Sequence, residues 1–172
     1  MRTFFIVTLI VLTIDFLISS FFFKKTDVWN NDQWQDKYYR IKSDIYHHDL
    51  MPNIEVTESW GGKLKRKIIT NSVGFRDSTQ KKINKSSNKT RILLIGDSFI
   101  EGSGYDYEYT LAGLLSSKLG NKYEILNSAV ESYSPSIYFK KIEHFISLGY
   151  KFDQALIFLD LSDIYDELFI KF

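Results

Sequence analysis

The 172-residue sequence has no cysteine, so it forms no disulfide and offers no thiolate to a metal; its compartment is left open by redox chemistry. Only three histidines remain as imidazole ligands. It also lacks an excess of either charge. Its 22 basic and 21 acidic residues leave a net charge of +1, and they are interspersed, which excludes the basic stripe that nucleic acid requires. No phosphate-cradling Gly-Lys-Ser/Thr is present and no Asp-x-Asp follows the first strand-like run, which argues against phosphoryl transfer. No A-x-A-like cleavage site follows the N-terminal apolar run; Ser19 and Ser20 are the small residues nearest its end.

That run, Phe4–Phe23, is the first strong positive signal: "FFIVTLIVLTIDFLISSFFF". At 1.5 Å per residue it is roughly 30 Å long, the thickness of a bilayer core, and it is apolar on every face. Asp15 near its middle costs about 3 kcal/mol on insertion scales, which so many Phe, Ile and Leu side chains outweigh. The segment predicts an uncleaved single-pass anchor through residues 4–23. Arg2 on one side and Lys24 and Lys25 on the other give no charge bias toward export.

Four segments follow from the pattern: an anchor (1–24), a membrane-proximal region (25–77), a polar lysine-rich linker (78–90) and an α/β segment (91–172). Within the second, "TNSVGFRD" (70–77) predicts a tight turn in which Gly74 supplies backbone freedom. In the last, "RILLIG", "YEILN" and "QALIFLD" are continuous apolar runs suited to strands covered on both faces. Between them lie helices over about 108–118 and from Pro135 onward. The reading is an incomplete, doubly wound parallel α/β sheet of three strands. Such a sheet leaves one edge open, and a partner chain covering it is expected.

Polar groups fall at the three strand ends: Gly96-Asp97-Ser98, Asn127-Ser128, and Asp160-Leu161-Ser162-Asp163. Ligand sites in such sheets form beyond the carboxyl ends of the strands. Two readings of Ser98 stand side by side. It is a nucleophile leaving the strand at a bend that Gly96 permits, with backbone N–H groups near an oxyanion; or Asp97 and Ser98 merely cap the next helix. A third arrangement has Asp97, Asp160 and Asp163 holding Mg²⁺ through oxygen ligands.

"ILLIGDSFIEG", preceded by "TNSVGFRD" and followed by "LNSAVESYSPS" and "LIFLDLSDIYDE", resembles the SGNH/GDSL hydrolases, in particular a membrane-anchored bacterial branch that includes acyl-modifying enzymes of cell-surface polysaccharides. The resemblance spans roughly 46–167. It implies a flavodoxin-like SGNH-type sheet and an ester hydrolase or O-acyltransferase needing no cofactor or metal. Ser98 would be the nucleophile and Ser98, Ser132 and Ser162 the oxyanion contributors, with Asp97, Asp160 and Asp163 in support. An acylated glycan or small ester is the implied substrate, and the implied location is extracytoplasmic, in the periplasm. Ser132 stands where the family offers a glycine amide, and Ser162 where it offers an Asn side chain. The family's base, the His of an Asp-x-x-His block, has no counterpart here. His144 is expected to lie on a solvated helix face about 13 Å from the site, and His47 and His48 to be structural. The chain therefore reads as an N-terminal fragment of such an enzyme, inactive or nearly so alone. The alternative is an inactive membrane-anchored remnant or interaction protein.

Overall fold

A computed structural model describes residues 2–25, 38–60 and 64–169. The chain divides into two compact units, Met1–Lys37 and Tyr38–Phe172.

The first unit contains helix α1 (Arg2–Lys25). Its described side chains, from Phe4 to Ile18, are all exposed. Among the described residues no helix is long and apolar enough to cross a membrane, so the transmembrane expectation gains no support from this fold.

The second unit is mixed α/β. It opens with two antiparallel hairpins, β1 (Arg40–Ser43) with β2 (His47–Leu50), and β3 (Glu55–Trp60) with β4 (Leu64–Ile69). The predicted turn follows. Gly74 has φ of +80°, and a Cβ there would stand 2.5 Å from the Leu50 carbonyl oxygen, so both conformation and space call for glycine. Residues 78–90 lie against this unit rather than apart from it. Ile83 is buried with Phe75 and Phe145, and the Ser72 amide donates to the Lys81 carbonyl.

A three-stranded parallel sheet carries the rest: β5 (Thr90–Ile95) at the centre, β6 (Tyr123–Asn127) on one side and β7 (Gln154–Ile157) on the other. Successive β5 side chains serve opposite layers, as strand alternation requires. Ile92 and Leu94 pack with Ala112 of α3 (Leu111–Leu119), while Leu93 packs with Phe145 of α4 (Pro135–Ser147). Ile95 joins Ile137 and Tyr138 of α4 and, from the hairpins, Tyr39, Tyr46, Leu50 and Ile68. Each such burial contributes about 1.5–3 kcal/mol. Thus the hairpins and the sheet share one core.

At the other edge, all four residues of β7 are exposed. An apolar groove of about 470 Å³ runs beside it, lined by Tyr138, Phe139, Ile142, Ile146, Ile157 and Leu159. Apart from Glu143 and the Tyr138 hydroxyl its lining is apolar, whereas polar groups converge at the strand ends.

Candidate functional site

Beyond β5 the chain turns at Gly96 into the short helix α2 (Ser98–Glu101). Gly96 is needed for room rather than for the bend: its φ is not positive, and a Cβ there would stand 2.7 Å from Ile100 Cγ1. Asp97 caps α2, its Oδ1 accepting from the Phe99 amide at 2.9 Å. The two readings of this segment thus fall on different residues. Asp97 is the cap, and Ser98 follows as the first helical residue, half-buried.

The loop after β6 lies against this turn, with the Val130 amide donating to the Gly96 carbonyl. Asn127 and Ser128 are engaged internally: Asn127 Nδ2 donates to the Ile100 carbonyl at 2.8 Å and Ser128 Oγ to the Leu94 carbonyl at 2.8 Å. They anchor α2 and β6 and are not available to a ligand. Farther along the loop Ser132 has φ of +62°, the left-handed region in which glycine is favoured. A residue with a Cβ pays about 1–2 kcal/mol to stay there. Among the described residues neither the Ser98 nor the Ser132 amide has a hydrogen-bond partner.

Beyond β7, helix α5 (Ser162–Phe169) brings the third cluster in. Ser162 Oγ lies 3.3 Å from Asp97 Oδ2 and 2.5 Å from Asp160 Oδ1, and the Ser162 amide also donates to Asp160 Oδ1 at 2.6 Å. Both donors of Ser162 are therefore occupied by Asp160, which is a reason against its serving as an oxyanion donor in this arrangement. Carboxylate oxygens of Asp97, Asp160 and Asp163 come within 4.8 Å of one another. Burial, then the charges of Asp160 and Asp163, raise the Asp97 carboxyl above its ordinary range, whereas the Ser162 hydroxyl and neighbouring amides hold exposed Asp160 below it. Asp163 is fixed by Tyr138, whose hydroxyl donates to its Oδ1 at 2.9 Å.

Asp166, one turn further along α5, is pushed up to about 6 by burial and by those three carboxylates. Its folded value thus exceeds its unfolded one, so stability is full below about pH 4 and declines as pH rises toward 6. Asp166→Asn is expected to flatten that decline and raise the urea midpoint at pH 6.5 but not at pH 4. Equal shifts at both pH values would show that the carboxyl is not the cause.

The histidines are engaged elsewhere. His48, fully buried, directs Nε2 to the Glu131 carbonyl at 2.7 Å and Nδ1 to His47 Nδ1 at 2.7 Å. A carbonyl can only accept, so Nε2 carries the proton and Nδ1 receives one from His47. Burial pushes His48 down to about 3, and the ring is neutral. His144 lies on α4 between the rings of Tyr46 and Phe145, half-buried rather than on a solvated face. No described side chain hydrogen-bonds to the Ser98 hydroxyl.

A buried ionic network adjoins the site, and nothing in the sequence pattern signals it. Arg40 Nη2 bonds Glu101 Oε1 at 2.9 Å and Glu131 Oε2 at 2.9 Å, and Glu101 Oε2 accepts from the Glu131 amide at 2.6 Å. Arg76 donates to the carbonyls of Glu101, Gly102 and Tyr105. Burial alone would raise the Glu101 carboxyl; the guanidiniums of Arg40 and Arg76 overcome it and hold the group below its ordinary range. Beside this network Lys141 is buried against Asp49 at 2.7 Å and the Tyr133 hydroxyl at 3.0 Å, under the rings of Tyr46, Phe75 and Tyr133.

No protein family matches the chain, and neither does any curated protein or solved structure.

Proposed function

We propose that this chain carries the nucleophile half of an SGNH-type acyl-transfer site on a doubly wound sheet, acting on ester-linked acyl groups such as those of cell-envelope glycans. One observation carries the reading: at the carboxyl end of β5 a half-buried serine stands beside a second loop held in a glycine-like conformation, and the amides of both Ser98 and Ser132 are unoccupied among the described residues. An oxyanion needs such a pair of uncommitted, pre-positioned donors. In the proposed step the Ser98 oxygen attacks the ester carbonyl and its proton passes to a base. The oxyanion rests on the two amides, the alcohol leaves with a proton, and the acyl group passes from Ser98 to water or to an acceptor hydroxyl. No described histidine is hydrogen-bonded to the Ser98 hydroxyl: His48 is neutral and doubly hydrogen-bonded, His47 directs Nδ1 to His48, and the His144 ring lies against Tyr46 and Phe145. The same fact favours the second reading, an inactive remnant, and the two are separated below by chemical rescue.

The proposal places the chain at a membrane, anchored through residues 4–23, with the α/β unit in the periplasm. In α1 the hydroxyls of Thr8 and Thr13 donate to the carbonyls of Phe4 and Leu9 four residues back, at 3.0 and 2.7 Å. That leaves neither hydroxyl proton in need of water, as a lipid surrounding requires. Carbonate extraction of membranes tests the anchor: the chain is expected in the pellet, and its release into the supernatant would refute the anchor.

Turnover of p-nitrophenyl acetate by the full chain in detergent, set beside Ser98→Ala, tests the site. Near-equal slow rates are expected without an added base. Brisk turnover lost in Ser98→Ala would mean that a base is supplied by a group outside those described, and metal-dependent turnover surviving in Ser98→Ala would favour the three carboxylates as the centre.

A further inference from the structure

Glu131, the residue before Ser132, is gripped at three points. Its amide donates to Glu101 Oε2 at 2.6 Å, its carbonyl accepts from His48 Nε2 at 2.7 Å, and its carboxylate pairs with Arg40 at 2.9 Å. The residue after Ser132 is held too, since the Tyr133 hydroxyl donates to the His48 carbonyl at 2.7 Å and its amide to the Val130 carbonyl. Arg40, Glu101 and His48 come from three separate elements, β1, α2 and β2, and all three are buried. An unsupported serine would relax out of the left-handed region; here its two neighbours leave it no such freedom. Glu101 also ends the one-turn helix that Ser98 begins, so one carboxylate fixes the loop relative to the nucleophile.

We propose that Arg40, Glu101 and His48 are positioning residues: they clamp Glu131 and thereby hold the Ser132 amide in place beside Ser98. This rests on the reading of Ser98 and Ser132 given above, and it assigns to the N-terminal hairpin a role in building the oxyanion site.

The test uses the full chain in detergent micelles and two readouts. Amide exchange is followed at Glu131 and Tyr133, with Leu93 and Leu94 of β5 as internal references. Binding of phenylboronic acid is measured in parallel; its boron accepts a lone pair from Ser98 Oγ, the serine proton goes to water, and the tetrahedral anion mimics the oxyanion. His48→Leu is expected to speed exchange at Glu131 and Tyr133 and to weaken boronate binding, each by about tenfold, the worth of one buried hydrogen bond. His48→Gln, whose amide nitrogen can replace Nε2, is expected to restore both. If the β5 amides also speed up in His48→Leu, Glu131→Gln at the half-exposed end of the clamp takes its place, with the same expectation. Unchanged exchange at Glu131 and Tyr133 in both variants overturns the clamp. Faster exchange with undiminished boronate binding overturns its connection to the site. A wild-type chain that takes up no boronate counts against the Ser98 reading alone, and exchange then decides the clamp by itself.

Discussion

Glu101→Ala is expected to cost about 3–5 kcal/mol of stability, the loss seen when one partner of a buried ion pair is removed. The reason is geometric. Glu101 and the Arg40 side chain are about 1% exposed, and Arg40 Nη2 lies 2.9 Å from Glu101 Oε1. Without that carboxylate, Arg40 keeps, among the described carboxylates it pairs with, only half-exposed Glu131, and Arg76 loses the opposing charge that favours it most. Two Arg40 nitrogens, Nε and Nη1, already lack hydrogen-bond partners, so the site has no reserve acceptor for the orphaned charge. A loss of this size is a large share of a typical domain's roughly 5–15 kcal/mol. Urea denaturation at pH 7 measures it, with Lys67→Ala as the control: the Lys67–Glu55 pair is exposed on the β3–β4 hairpin and its loss should leave the midpoint unchanged. The pH sign follows from the depressed carboxyl of Glu101. Its contribution is present above the unfolded carboxyl range and fades as pH falls through the folded value, so wild type and variant should converge in acid. A variant within 1 kcal/mol of wild type at pH 7 would contradict the buried network.

Imidazole is expected to rescue Ser98-dependent ester turnover by about a hundredfold, the lower end of what a general base contributes. The expectation follows from what is present and what is not hydrogen-bonded. The Ser98 hydroxyl and the two amides are unengaged among the described residues, and Ser98 is only half-buried. Among the described residues no side chain accepts the Ser98 hydroxyl proton, and a small diffusible base can supply that function. The measurement is the slope of the rate against neutral imidazole concentration, in wild type minus Ser98→Ala, with the pH profile following the imidazole pKa. A zero difference at saturating imidazole would leave the inactive remnant as the correct reading. The size of the rescue also reports on Ser132, because Ser98 without oxyanion donors would gain little from a base.

The parts of this fold that sequence made visible are those governed by local pattern. Continuous apolar runs at 91–96, 123–127 and 154–160 marked β5, β6 and β7, although β7 ends at Ile157, before the run does. Pro135 marked the first turn of α4, and Gly74 the turn before β5. Short strands and loops are legible in the mixed aromatic and charged stretch 24–70, but the hairpins at 40–50 and 55–69 and their burial are not, because their buried residues include Arg40, His48 and Asp49. Their partners are distant: Arg40 meets Glu101 across 61 residues and Asp49 meets Lys141 across 92. No window of a single sequence pairs residues so far apart. At the candidate site, the convergence at the strand ends was visible, but the roles within it were not. Gly96 is required by Ile100 rather than by the turn, Asn127 serves α2, and Ser162 is engaged by Asp160. No pattern within the sequence marks Ser132 as left-handed.

The order β6–β5–β7 also sets how freely each strand can vary. β5 is paired along both edges and buried on both faces, so a change at Leu94 must satisfy the α3 layer and one at Leu93 the α4 layer, each between two paired strands. β7 is paired along one edge and exposed at every position, so its side chains answer to almost nothing in this unit. Tolerance to substitution therefore rises steeply across only two strands, from the one that delivers Ser98 to the one that leads into Asp160.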